Sequence, residues 1–127
     1  MSIARIHPVV LVAAGGALGT ALRLTLDLLI PDAAELPLST LLANLIGAFL
    51  LGALASRLPA TSGMRLFAGT GLLGGFTTYS ALTVGSLGLW QSYPWLAAIY
   101  ALGSVVAGIA LAALGLRAGR PRSVGAA

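Results

Sequence analysis

The chain has 127 residues, 58% of them hydrophobic and 8% charged, with mean hydropathy +1.00, which leaves too little polar surface to cover a water-soluble domain. It carries no cysteine, which excludes a disulfide framework and a thiolate metal site, and a single histidine, His7, which cannot by itself supply a catalytic constellation. The net charge of +4 comes from seven arginines set against three acids, and these lie at the ends of apolar runs rather than along a stripe, so nucleic acid is not the partner.

An apolar helix needs roughly 20 residues to cross the hydrocarbon core of a bilayer. The first qualifying run is Pro8 to Leu29, too long for a signal peptide and without a cleavage site. Its GGALG (Gly15 to Gly19) has the glycine spacing of a helix-contact face. Arg23 and Asp27 stand four apart near its far end, where an ion pair or snorkelling explains both charges and a supporting role for other helices stays open. After the PDAAELP connection, the second run, Leu38 to Ser56, places Thr40, Asn44, Gly47 and Leu51 on one helical stripe. Asn in a membrane either glues two helices together or offers its two amide hydrogens to an anion.

RLPATSGMR leads to the third run, Leu66 to Trp90, which interrupts itself with GGFTTYS (Gly74 to Ser80), paired glycines followed by four hydroxyl side chains. In hydrocarbon, backbone groups released by a helix break persist only where protein, water or an ion satisfies them, so a break halfway along the span reads as a site. The carbonyls of Gly74, Gly75 or Thr77 are placed to hold a small cation; the competing reading is close helix packing with hydroxyls bonded back one turn. GTGLLG (Gly69 to Gly74) matches a dinucleotide fingerprint only literally, since no strand precedes it and no acid follows about 20 residues later. QSYPW, with Trp90, Tyr93 and Trp95, fits an interfacial aromatic belt. The fourth run, Trp95 to Leu116, spaces Tyr100, Ser104, Gly108 and Ala112 by four.

These runs predict an all-α membrane protein: a single domain over residues 1–127 with spans 8–29, 38–56, 66–90 and 95–116 and a third helix broken at the bilayer midplane. Three polar stripes with no acid after Glu35 describe a donor-rich path that suits an anion. Six arginines (Arg5, Arg57, Arg65, Arg117, Arg120 and Arg122) fall on one side of such a topology and only Arg23 on the other. The positive-inside rule then puts both termini in the cytoplasm, in a multi-pass protein of the cell inner (plasma) membrane.

Taken together, GGALGTALR (Gly15 to Arg23), STLLANLIGAFLLG (Ser39 to Gly52), GGFTTYS, and Tyr100 with Ser104 and Gly108 resemble, in the same order and over nearly the whole chain, the Fluc or CrcB fluoride channels. The resemblance implies an antiparallel dimer that passively exports fluoride through pathways at the dimer interface. It also implies a structural sodium ion held by the carbonyls of Gly74 and Thr77 from each subunit. Asn44 would donate to fluoride, and Thr40, Ser80, Tyr100 and Ser104 would belong to its polar track, with Arg23 in a structural role. Tyr79 and Leu82 stand where the family has phenylalanines, whose electropositive edges give an anion weak contacts. Two departures are plain: Leu82 removes one aromatic edge, and Tyr79 adds a hydroxyl to the other.

A homodimer that inserts both ways needs nearly balanced loops, whereas the arginines here divide six to one. The expectation is therefore an oppositely oriented paralogue as partner, one of the two pores being degenerate, with a homodimer as the alternative. A small multidrug-type antiporter and a non-transporting scaffold are the rival readings; the first needs a membrane carboxylate, for which Asp27 is the only candidate. An enzyme is not expected, because no nucleophile, base and orienting group assemble from this inventory. A topology reporter fused to the C-terminus is expected to signal from the cytoplasmic face alone; equal signal from both faces would contradict a fixed orientation.

Overall fold

The computed structural model describes residues 6–123 and 125. Arg5, counted above with the basic side, lies outside the described residues. The first run forms α1 (Pro8–Leu29), started by Pro8 and by the His7 ring, whose Nδ1 accepts from Val9 N–H at 3.3 Å. The second forms α2 (Leu38–Arg57) and the fourth α6 (Pro94–Gly119). All three are long and apolar enough to cross a membrane.

Between them the third run is divided. A leading arm consists of α3 (Gly63–Arg65), a π-helical stretch π1 (Leu66–Leu73) and α4 (Gly74–Phe76); the trailing arm is α5 (Tyr79–Ser92). The 14 residues of α5 match the leading arm in length, so the interruption at Thr77 and Thr78 falls at the centre of the span. One broken helix is thus set among three continuous ones. The break itself is displaced from the glycine pair: Gly74 and Gly75 are helical, and the two threonines take extended backbone, with ψ 158° at Thr77 and φ −153° at Thr78.

Glycine decides how these helices pair. Against α1 lies the leading arm, running in the same direction, with Gly15 and Gly19 facing Phe67 and Leu72. A Cβ on Gly71 would fall 2.8 Å from Val12 O, and one on Gly75 only 2.5 Å from Gly16 O, so the two backbones touch. The GGALG segment is the contact face its spacing predicts. A second seam joins α2 to α6, where Gly52 meets Ala112 and Gly115 meets Phe49. The trailing arm packs on α6 rather than on α1. The third span therefore passes from one helix pair to the other, and the break is where it crosses.

At one end of the molecule Arg23 Nη2 donates to Thr40 Oγ1 at 3.2 Å, tying α1 to the start of α2. The connection there turns through Ala34 and Glu35, both with positive φ (51° and 68°), closed by a bridge between Ala33 and Leu36. Trp90, Tyr93 and Trp95 are exposed at this same end, as an interfacial belt requires. At the other end Arg57 Nε donates to Gly119 O at 3.2 Å and Arg65 Nη1 to Leu58 O at 3.1 Å. Asp27, paired with Arg23 Nε at 3.3 Å, lies at the end opposite to Arg57, Arg65, Arg117, Arg120 and Arg122.

Because α4 and α1 meet through bare backbone, Gly75→Leu is expected to destabilise the chain by about 1–3 kcal/mol or more through overpacking, read as a lowered midpoint of thermal unfolding in detergent. Gly88→Ala, where an added Cβ meets nothing within 4 Å, should not lower the midpoint.

Candidate functional site

The two arms end and begin by different devices. Thr77 closes the leading arm: both its N–H and its hydroxyl donate to Leu73 O, each at 2.9 Å. Thr78 opens the trailing arm as an N-cap, its Oγ1 accepting from Ala81 N–H at 3.2 Å and lying 3.0 Å from Ser80 Oγ. Thr77 N–H makes the last bond of the leading ladder, and Thr78 does not continue it. Past the Thr77 N–H, Thr78 N–H does not donate to Gly74 O, and no backbone donor reaches Thr77 O among the described residues.

Asn44 explains where one missing donor goes. From the middle of α2 its Oδ1 accepts from Thr78 N–H at 2.7 Å, and its Nδ2 donates to Thr78 O at 2.9 Å. One carboxamide thus satisfies both sides of the residue at the break, and in doing so diverts the N–H that a continuous helix would have given to Gly74 O. Of the two readings of Asn44, helix glue is the one its geometry displays. The second Nδ2 hydrogen is left for another acceptor. Gly47, one turn on, permits this approach, since a Cβ there would collide with the Thr77 methyl.

Asn44, Gly74, Thr77, Tyr79 and Leu82 line one groove of about 380 Å³ at the break, together with Thr78. Tyr79 is 82% exposed, and Gly74 and Ser80 are also exposed, so the interruption opens onto the outer face of the chain rather than into its core. Leu82 and Tyr79 also wall the neighbouring groove between α5 and α6 and so form the ridge between the two.

The remaining candidates are placed elsewhere. Thr40, 4% exposed, accepts from Arg23 near the end of the molecule. Tyr100 and Ser104 are buried on α6 and do not line the break groove. The Tyr100 hydroxyl donates to Pro37 O at 3.1 Å, and Ser104 donates back to Tyr100 O, as Thr83 does to Tyr79 O and Ser86 to Leu82 O. Further along the same stripe, an added Cβ at Gly108 meets nothing within 4 Å, so this glycine is not spent on packing inside the chain. Thr78 escaped the sequence reading as an individual. Its signal is the N-cap pattern, a threonine immediately before a renewed apolar helix.

For a cation, the available ligands are peptide oxygens. Among the described residues no three His, Cys, Asp or Glu side chains come together, whereas the carbonyls of Gly74 and Thr77 lack backbone partners. Neutral oxygens from an unwound helix suit a hard monovalent ion such as sodium, so the residues present fit that group.

Comparison with known proteins gives one consistent result. The family model described as CrcB-like protein, Camphor Resistance (CrcB), matches residues 10–116. A Thermus thermophilus protein named fluoride-specific ion channel FluC is 47% identical over 116 residues, covering 86% of this chain and 92% of its own. The Leifsonia xyli protein named fluoride-specific ion channel FluC 2 is 46% identical over 125 residues, covering 86% of each chain. One from Paracoccus denitrificans, also named fluoride-specific ion channel FluC, is 41% identical over 118 residues, covering 90% and 95%.

Removing the Asn44 carboxamide orphans a donor and an acceptor at once. Asn44→Leu is expected to cost about 2–6 kcal/mol, from roughly 1–3 kcal/mol for each unsatisfied group, measured by unfolding in detergent. A loss no larger than that of an exposed leucine substitution would show that Asn44 does not hold the break.

Proposed function

The chain belongs to the CrcB family, and we propose that it is one subunit of a passive, fluoride-selective channel completed by a second subunit of inverted orientation. One observation carries the dimer: the helix break, with its unpaired peptide oxygens, lies on an exposed face of a chain whose surface is otherwise made for lipid. Irregular backbone at membrane depth does not face hydrocarbon, and a second chain against this face would cover it. Two inverted copies of a span broken at its centre meet break to break, which brings the carbonyls of Gly74 and Thr77 of one subunit beside those of the other.

In that setting the carbonyls of Gly74 and Thr77 would hold a sodium ion, which would supply positive charge against their dipoles. The chain's own groups would handle fluoride. Asn44, anchored by Thr78, turns its remaining Nδ2 hydrogen toward the break groove and replaces part of the ion's water. Ser80, beside Thr78 Oγ1, adds a hydroxyl. Tyr79, projecting from the chain, reaches toward the partner, while Leu82 narrows the groove without an aromatic edge. Thr40 and Ser104 join this track by turning hydroxyl hydrogens or lone pairs from their present partners, and the buried Tyr100 holds the α2–α6 wall through Pro37 O. Arg23 fixes Thr40 and so serves structure.

The weighting of arginines to one end supports a fixed orientation with both termini in the cytoplasm and a heteromeric partner, a paralogue of reversed charge bias. A membrane antiporter has less to work with, since Asp27 is paired with Arg23 at a helix end.

Proteoliposomes holding the chain together with its inverted partner are expected to release fluoride and retain chloride. Asn44→Asp, which keeps the acceptor but loses the donor, should reduce fluoride release by at least about tenfold in a correctly assembled dimer. No fluoride release from the chain, either alone or with a partner, would overturn the channel assignment.

A further inference from the structure

Two concavities at the arginine-rich end are not used by the conduction reading. One is an apolar groove of about 600 Å³ between α2, π1 and α6, walled by Leu50, Leu54, Ala68, Leu72 and Ala118 among others. The second is a basic hollow formed by Arg57, Arg117, Arg120 and Arg122 with the residues between them. They adjoin, with Arg57, Ala118 and Gly119 walling both. Arg57 sits at the junction, its Nε bound to Gly119 O at 3.2 Å and its terminal nitrogens left for another acceptor.

We propose that this joined concavity binds an anionic phospholipid, with the phosphate among the arginines and an acyl chain along the apolar groove. Helices α2 and α6 both end here, and bare helix C-termini disfavour an anion. Four guanidinium groups reverse that, and their forked donors match phosphate oxygens in pairs. Among the described residues the acidic side chains, Asp27, Asp32 and Glu35, all lie at the opposite end. The arrangement of the two parts selects a lipid over a free anion. A soluble phosphate needs only the hollow, whereas a groove running from the hollow down the helices has the polarity order of a phospholipid, charged at the helix ends and apolar alongside them. Helix-end arginines that only snorkelled would not need such a groove.

The test is binding to the purified full chain in detergent, read by native mass spectrometry and by lipid-induced shifts in thermal unfolding. Phosphatidylglycerol is expected to bind at least about tenfold more tightly than phosphatidylcholine, and soluble glycerol phosphate at millimolar concentration should not displace it. Replacing three arginines together (Arg117→Gln, Arg120→Gln, Arg122→Gln) should weaken phosphatidylglycerol binding on the order of 100-fold, at about fivefold per charge near the surface. Ala118→Trp, which fills the groove beside intact arginines, should also weaken it. Equal binding of the two lipids by the unmodified chain would overturn the proposal whether or not the variants fold. So would displacement by glycerol phosphate, which marks a site for free anions. Efficient disulfide crosslinking between two Leu50→Cys chains would do the same, by showing that a second protein chain covers the groove.

Discussion

The structure turns on the pairing of the Asn44 carboxamide with both polar groups of Thr78. A helix cannot stop in the middle of a bilayer unless its released N–H and C=O groups are answered, each unanswered one costing several kcal/mol. Asn44 answers two of them from a neighbouring helix, and Thr78 answers a third with its own hydroxyl, given to Ala81 N–H. What is left over includes the carbonyls of Gly74 and Thr77, which receive no backbone donor across the break among the described residues. The same contacts that make the break tolerable therefore also create a cluster of oxygen ligands beside a carboxamide with a spare hydrogen.

That pairing depends in turn on the glycine seams. Backbone contact between α1 and the leading arm, and between α2 and α6, leaves the third span attached to different partners on its two sides. A continuous helix could not follow both. The π-helical stretch from Leu66 to Leu73 belongs to the same compromise: widening the turn lets Gly69 and Gly71 stay buried while the arm advances toward Thr77. Stability and site are thus built from the same residues, and Gly47 shows it most compactly, since its missing side chain leaves room for the Thr77 methyl.

The four spans were legible because long apolar runs separated by Pro-rich and Arg-rich connections admit few alternatives, and GGALG announced its helix contact by spacing alone. The location of the break was legible only to within a turn. Glycine propensity drew attention to Gly74 and Gly75, but both are helical, Gly75 packed against Gly16 of α1, and the chain parts where Thr78 finds partners off the ladder. Nothing in a periodic pattern distinguishes π1 from α-helix, because both are apolar throughout. The role of Asn44 could be narrowed to a donor or a glue, yet its partner is backbone 34 residues away, which carries no side-chain signature. Tyr100 and Ser104 share the helical spacing of a polar track, but in this chain their hydroxyls are given to carbonyls. The open face at Gly108 and the outward Tyr79 make sense only if the functional unit is larger than one chain.

The most direct test is a distance. In bilayer-embedded protein labelled with 15N at the backbone of Thr78 and 13C in the Asn44 carboxamide, dipolar recoupling measures their separation without altering the chain. A hydrogen bond of 2.7 Å from Thr78 N–H to Asn44 Oδ1 places the two nuclei within about 4 Å of each other. A separation beyond hydrogen-bonding reach, with Thr78 N–H donating instead to Gly74 O in an uninterrupted helix, would contradict the account.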